Sequence, residues 1–410
     1  MSHQNVLLPP SPTEPLVRYG GVTVHPDQTL VKLQKNHRFS ILPRNTPATT
    51  VLQSGSNDII FDLSPNSIDY IDRLLLQFTV TNTDGSNALA LTDGFSLIDY
   101  ITIECSGSGS NNGGGGQKEV QKLHGQALRK EFLVCNSTEK LVNPLAQIGI
   151  SASTFVANVS IAPSGTFTYR IPIHCILDTA NVKMRSSKVV WRMTFRVQTG
   201  PAAISASSAA AITAASVSGV SLIVHGKIND GGEARESVLY NYLTQSKETL
   251  SLGSAVSGTP VQVTMSGSGL LSHLWIDYAA QSTTNLSLHQ PLAITSVELM
   301  KNSETISHGL GDKADTYALS KMFVDLDWAN PTLFSALNTA LLCFSDEPQE
   351  AIQKGANHGF QRTYGDSEMI RVVPGATQAG AQLNCYGNWW SSLLINHSTG
   401  DVKLFKNIMS

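Results

Sequence analysis

The stretch with the most suggestive chemistry is SGSGSNNGGGGQKE, Ser106 to Glu119. A glycine-rich loop can aim backbone N–H groups at a phosphate, but it then needs Gly-Lys-Ser/Thr so that an ammonium and a hydroxyl complete the site. Gln117-Lys118-Glu119 stands there instead, and the stretch reads as a flexible loop tip. The eleven histidines are dispersed, with no HxH or HExxH, so a metal site would have to be assembled wholly by the fold. Five cysteines (Cys105, Cys135, Cys175, Cys343, Cys385) lie far apart, odd in number and without a CxxC pair. Neither a zinc cluster nor a disulfide framework is indicated, and folding in a reducing cytoplasm is expected. No GxSxG elbow is present. Carboxylates such as Asp277 and Glu298 fall on alternating segments, where solvent-facing or inter-subunit roles are expected rather than a glycosidase pair. The expectation is a protein with no catalytic residues, no cofactor and no metal.

Tryptophan offers a second kind of chemistry, since sugar-binding sheets display exposed aromatic platforms. Alternation turns Trp191 inward and sends Trp389 and Trp390 to opposite faces. Trp275 alone sits opposite an apolar stripe, and contact with a second sheet, helix or subunit is the expected reason. Four Asn-x-Ser/Thr sites (Asn136, Asn158, Asn285, Asn396) are formal glycosylation acceptors. They carry no weight beside a start, MSHQNVLLPPSPTEP, that lacks the features of a secretory signal. The uncharged run Val197 to Val224 is too rich in small and polar residues to read as a transmembrane helix.

The elements that would hold such residues are mostly strands. Charged residues make up 14% of 410, with 32 Gly and a net charge of −3, which excludes global disorder and a surface devoted to nucleic acid. In Arg73 to Thr81 the residues Leu74, Leu76, Phe78 and Val80 share one face; Lys188 to Val197 and Thr166 to Ile173 alternate in the same way, with Pro172 suited to an edge. Lys118 to Leu133 predicts a helix, and Asn330-Pro331 opens another.

A coarse repeat orders these segments. Ile59, Phe61 and Leu63 match Val261, Val263 and Met265; Leu76, Phe78 and Val80 match Leu274, Ile276 and Tyr278; Leu97, Ile101 and Ile103 match Ala293, Val297 and Leu299; and ALRKEF at Ala127 matches ALSKMF at Ala318. One all-β unit of about eight strands and a short helix is used twice. Val217 to Lys227 closes the first copy, and Ser367 to Val373, Ala381 to Tyr386 and Asn388 to His397 close the second. The expected division is an extended arm over 1–55, a first domain over 56–230 and a second over 231–410. Ser106 to Gly116 and Gly200 to Ser216 are the expected variable loops at the outer end.

The run IIFDLSPNSIDYIDRLLLQFTVTNTDGSNALALTDGFSLIDYITIE (Ile59 to Glu104), followed by the segment ending ALRKEFLV, resembles the major capsid proteins of tailless icosahedral phages with an internal membrane, the tectivirus type, a lineage that includes the adenovirus hexon. The resemblance covers about Ser56 to His397. It implies two tandem eight-stranded jelly rolls behind the N-terminal arm, in a subunit that trimerises into pseudo-hexagonal capsomers of an icosahedral shell. It further implies contacts with neighbouring capsomers, penton and minor capsid proteins, a place in the virion after assembly in the host cytoplasm, and no sequence-specific binding of nucleic acid. One departure stands out: family members commonly start with a membrane-touching helix, which Pro9, Pro10, Pro12 and Pro15 would break here.

An extended arm would then take over that contact. Residues 1–50 hold Arg18, Lys32, Lys35, Arg38 and Arg44 against Glu14 and Asp27, a formal +3 that leaves −6 on the rest. These five basic residues are the expected inner-face contacts, to anionic lipid or to neighbouring subunits. The competing reading is a jelly-roll carbohydrate- or receptor-binding spike of the virion, since lectin domains share the architecture.

Overall fold

A computed structural model describes residues 17–19, 22–24, 34–45, 58–63, 68–107, 117–135, 144–155, 157, 159–180, 182–184, 188–197, 215–229, 237–252, 254–265, 267, 269–280, 290–291, 294–302, 304–310, 339–344, 360–362, 368–375 and 377–405. The first half contains β1 (Val17–Tyr19), β2 (Val22–Val24), β3 (Gln34–Ile41), β4 (Asp58–Leu63), β5 (Tyr70–Asn82), β6 (Leu89–Leu91), β7 (Ile98–Gly107), β8 (Lys118–His124), α1 (Gly125–Cys135), β9 (Val159–Ile161), β10 (Thr166–Ile173), α2 (Ile176–Thr179), β11 (Val189–Val197) and β12 (Ala215–Asn229). The second half contains β13 (Ser237–Ser251), β14 (Ser254–Ala255), β15 (Val261–Thr264), β16 (Gly269–Ala280), β17 (Gln290–Pro291), β18 (Ile294–Lys301), β19 (Glu304–Leu310), β20 (Ala340–Cys343), β21 (Phe360–Arg362), β22 (Glu368–Pro374), β23 (Gln378–Ala379), β24 (Ala381–Asn396) and β25 (Val402–Phe405).

Two four-stranded antiparallel sheets, β3-β12-β5-β10 and β4-β11-β7-β8, form the first domain. With its eight main strands lettered B to I along the chain, the sheets run B-I-D-G and C-H-E-F, the order of a jelly roll. The second domain repeats it as β13-β24-β16-β20 and β15-β22-β18-β19, with β17 and β21 extending the edge beside β20. β25 takes the place next to β24 beyond the end of β16. The repeat holds strand by strand, β4 with β15, β5 with β16 and β7 with β18. Its fourth pairing and the helix expected from Asn330 lie outside the described residues.

Alternation places the cores. Leu74, Leu76, Phe78 and Val80 of β5 meet Ile59 and Phe61 of β4 and Trp191, Met193 and Phe195 of β11, all buried in one cluster. The rings of Phe61 and Phe195 meet edge to face at 5.7 Å. A second cluster fills the other roll through Leu274, Ile276, Tyr278, Val297, Leu299, Ile370 and Val372. Pro172 stands on β10, an edge strand, where its missing N–H costs no ladder bond.

Four expectations need correction. The segment assigned to the arm up to residue 55 supplies β3, paired with β12 from Gln34↔Asn229 to Ile41↔Leu222, so the first roll starts at Gln34. Its near-uniform polarity hid it: an edge strand with exposed Asn36, His37 and Arg38 needs only Phe39 and Ile41 against the core. The helix expected over Lys118 to Leu133 begins only at Gly125, because Lys118–His124 pairs with β7. Gly125 makes the switch, since a Cβ there would collide with the carbonyl oxygens of Phe95 and Ile98. The two segments expected on either side of Gly387 form one strand, β24, where that glycine leaves room for the Trp389 indole. Finally, the two loops expected at one outer end are bounded by strand ends at opposite ends of the roll. Gly107 abuts Gly400, near the strand ends that lead to the chain termini, whereas β12 begins beside Asn82 at the far end.

Candidate functional site

The two rolls meet along a polar seam. The β8 edge of the first lies against β13 of the second: the Gln121 side-chain amide donates to the Leu243 carbonyl (2.6 Å), the Lys122 N–H to Thr244 Oγ1 (3.0 Å), and the His124 N–H to Gln245 Oε1 (2.6 Å). The Tyr242 hydroxyl reaches back to the Val120 carbonyl at 2.8 Å. An edge strand that would otherwise template aggregation is thus closed by side chains of the next roll.

Above this edge, α1 delivers Lys130 onto Asp277 of β16. The ammonium lies 2.6 Å from Oδ2, with side-chain exposures of 4% and 14%. Burial pushes the Lys130 pKa down, and Asp277 opposes that shift. The Tyr386 ring lies under the same ammonium at 5.0 Å. Next to it, Glu131 accepts from the Gln245 amide at 3.1 Å and comes within 3.5 Å of His273 Nε2. His124 packs between Tyr100 of its own roll and Tyr386 of the other, at 6.3 and 5.9 Å between ring centres. Its Nδ1 is buried without a hydrogen-bond partner among the described residues. Burial first, and then Lys247 and Lys122, hold its pKa down to about 3.

This explains β16. Leu274, Ile276 and Tyr278 face their own core, while His273, Trp275 and Asp277 point the other way and are still covered, because the first roll lies on them. The expectation for Trp275 is met. Sequence reasoning missed the ionisable seam residues, although an outward row of His, Trp and Asp on one strand was the available signal.

The five basic residues singled out from the sequence are not brought together. Arg18 stands opposite Thr23 in the β1-β2 hairpin, and Lys35 opposite Ile228 at the start of β3. Lys32 lies outside the described residues. Arg44 is 3.6 Å from Asp62 of the other sheet. Arg38 alone joins a cationic group: it is exposed, in register with His225 of β12, which is in register with exposed Arg73 of β5. Burial and then these two guanidiniums depress the His225 pKa. Lys227 is held by Asp72 at 2.7 Å.

The row sits at the end of the molecule where β3 begins, β12 ends, β13 begins and β24 ends. Lys118 Nζ contacts the Val402 carbonyl at this end (3.4 Å), and the Lys188 N–H that of His397 (3.3 Å). Leu239 and Phe405, 54% and 42% exposed, lie there on one face with Leu394 and Lys403. Among the described residues there is no cluster of His, Cys, Asp or Glu that could hold a metal. Burial pushes the Cys105 thiol up to about 12 and those of Cys175 and Cys385 well up, the reverse of what a nucleophile needs. Trp191, Trp275, Trp389 and Trp390 are all buried, so none is a sugar platform. None of the described helices is long and apolar enough to cross a membrane.

No protein-family model matches the sequence, and no curated protein does. Solved structures do. The PBCV-1 virus capsid, a quasi-atomic model, superposes with a TM-score of 0.65 at 10% identity, over 91% of this chain and 97% of that one. The Sputnik virophage structure by cryo-EM gives 0.57 at 12%, over 99% and 94%. The mavirus major capsid protein gives 0.53 at 10%, over 91% and 90%. At such identities the likeness is one of fold: this chain has the double jelly-roll architecture of those viral capsid proteins.

Proposed function

We propose that this chain is a major capsid protein, a structural subunit that forms an icosahedral viral shell and carries no catalytic activity. The observation that carries the reading is the pair of like jelly rolls fused side by side in one chain. Three such chains supply six similar units, which is what hexagonal packing of a shell requires. The finer reading is a homotrimeric capsomer that meets neighbouring capsomers, penton and minor capsid proteins in the virion, after assembly in the host cytoplasm. The end bearing Lys403, Leu239 and Phe405 faces inward, where basic and apolar side chains suit the anionic surface of an internal membrane. Arg18 and Lys32 would join that contact through the arm, and Lys35 from the start of β3. Negative-stain microscopy of the purified protein tests the reading. Six-lobed particles or hexagonal sheets are expected, and isolated rods under all conditions would overturn it.

A further inference from the structure

The seam inside the chain uses one edge and one face, and each chain has one of each left over. It sets the β8 edge and α1 of the first roll against the outward side of β13-β24-β16. The second roll carries the equivalent edge, β19, and the first roll the equivalent face, β3-β12-β5. The repeat makes the correspondence specific. Leu76 and Leu274 occupy the same position, an offset of 198 (274 minus 76), so Leu75, Gln77 and Thr79 stand where His273, Trp275 and Asp277 stand in the second roll. The latter three are covered by the first roll, whereas Leu75, Gln77 and Thr79 are half-exposed. His225 of β12 likewise corresponds to Trp390 of β24: Trp390 is buried and His225 is half-exposed. Among the described residues of this face only Ser221 and Ile223, at its centre, are buried.

We infer that the outward face of β3, β12 and β5 is the docking surface for the β19 edge of the second roll of another copy of this chain. The inference rests on the reading as a shell subunit and names the surface through which its copies join. One chain bearing both halves of an interface forms a head-to-tail contact, which closes into a ring when the rotation permits. Charge agrees with the docking: the face carries exposed Arg38 and Arg73, and β19 opens with exposed Glu304. The copy-to-copy seam also differs from the internal one in a defined way. Thr79 replaces Asp277, so the equivalent of the Lys130–Asp277 ion pair is missing from it.

The test is light scattering on the full chain after size exclusion at micromolar concentration, with circular dichroism to verify folding. Wild type is expected at three times 44.0 kDa. Leu75→Glu and Thr79→Arg should fall to a single 44.0 kDa chain, while Val190→Glu, which puts a charge on an exposed residue of β11, should stay trimeric. A crosslink serves if the face variants fail to fold. Gln121 of β8 touches Leu243 of β13, and their counterparts are Ser307 of β19 and Arg38 of β3. Arg38→Cys with Ser307→Cys should therefore give an oxidation-dependent ladder of two and three chains. A trimeric wild type whose face variants remain trimeric and whose cysteine pair gives no ladder would overturn this inference and leave the proposed function standing. The face is then covered by the chain's own arm or by solvent. Loss of trimers in Val190→Glu as well would overturn the assignment to this face. A wild type that is monomeric throughout would overturn the proposed function and the inference with it.

Discussion

Replacing Asp277 by Ala should uncouple the two rolls more than it disturbs either one. In the native seam Lys130 is 4% exposed and its ammonium is neutralised by Asp277 at 2.6 Å. Removing the carboxylate leaves a buried cation whose remaining contacts are the Tyr386 ring at 5.0 Å and the Gln126 carbonyl at 3.4 Å. Breaking a buried pair in this way costs about 3–5 kcal/mol. The cation–π contact offsets roughly 1 kcal/mol of that, so a net loss of about 2–4 kcal/mol is expected. The double variant Lys130→Met/Asp277→Leu should recover most of it, because no uncompensated charge remains. Denaturant titration followed by tryptophan fluorescence suits the question, since Trp275 and Trp390 are buried in this region. If Asp277→Ala costs under about 1 kcal/mol, the pair is behaving as a solvated surface bridge and the account of the seam is wrong.

Acid should weaken the same seam. His124 is held to about 3 in the folded chain, against about 6.5 unfolded, so stability is fully present above 6.5 and falls as pH drops towards 3. By pH 5 the loss from this group is about 2 kcal/mol, and His397, also depressed by burial, adds to it. His124→Asn should flatten the slope of stability against pH between 7 and 5. Gly107→Ala should cost about 1–3 kcal/mol, read as a lower melting temperature, because the new methyl would overlap the Gly400 carbonyl oxygen. Deleting residues 1–33 should leave folded trimers and impair shell assembly, whereas deleting 1–50 removes β3 and should abolish soluble protein; solubility and size-exclusion profiles separate the two. An epitope tag near Ser207 should be reachable by antibody on intact particles, since the bounding ends of β11 and β12 lie away from the termini; an inaccessible tag would turn the rolls over.

Much of the fold is legible because a half-buried strand writes its period into the sequence. Burial alternates without exception from Leu74 to Val80 and from Val189 to Val197, and in the sequence only Leu75 and Val190 break the matching apolar-polar pattern; the repeat survives because the same core positions must be filled twice. What the sequence hides are elements whose neighbours, not their own period, decide their state. β3 is an edge strand with few core contacts, and β8 carries a helical spacing of apolar residues that β7 overrides by pairing. The seam is hidden for a related reason. Lys130 and Asp277 are 147 residues apart, and each alone looks like an ordinary surface charge. The basic residues of the first 50 were visible as a charge excess, but not that Arg44 would turn to Asp62 while Arg38 joined His225 and Arg73.

A cryo-EM reconstruction of the assembled protein bears most directly on the central claim. The account predicts capsomers of three chains, six upright jelly rolls in a ring, with the Lys130–Asp277 seam repeated three times within chains and the β3-β12-β5 face closing the three gaps between them. Capsomers of any other copy number, or particles in which the two rolls of a chain stand apart, would contradict it.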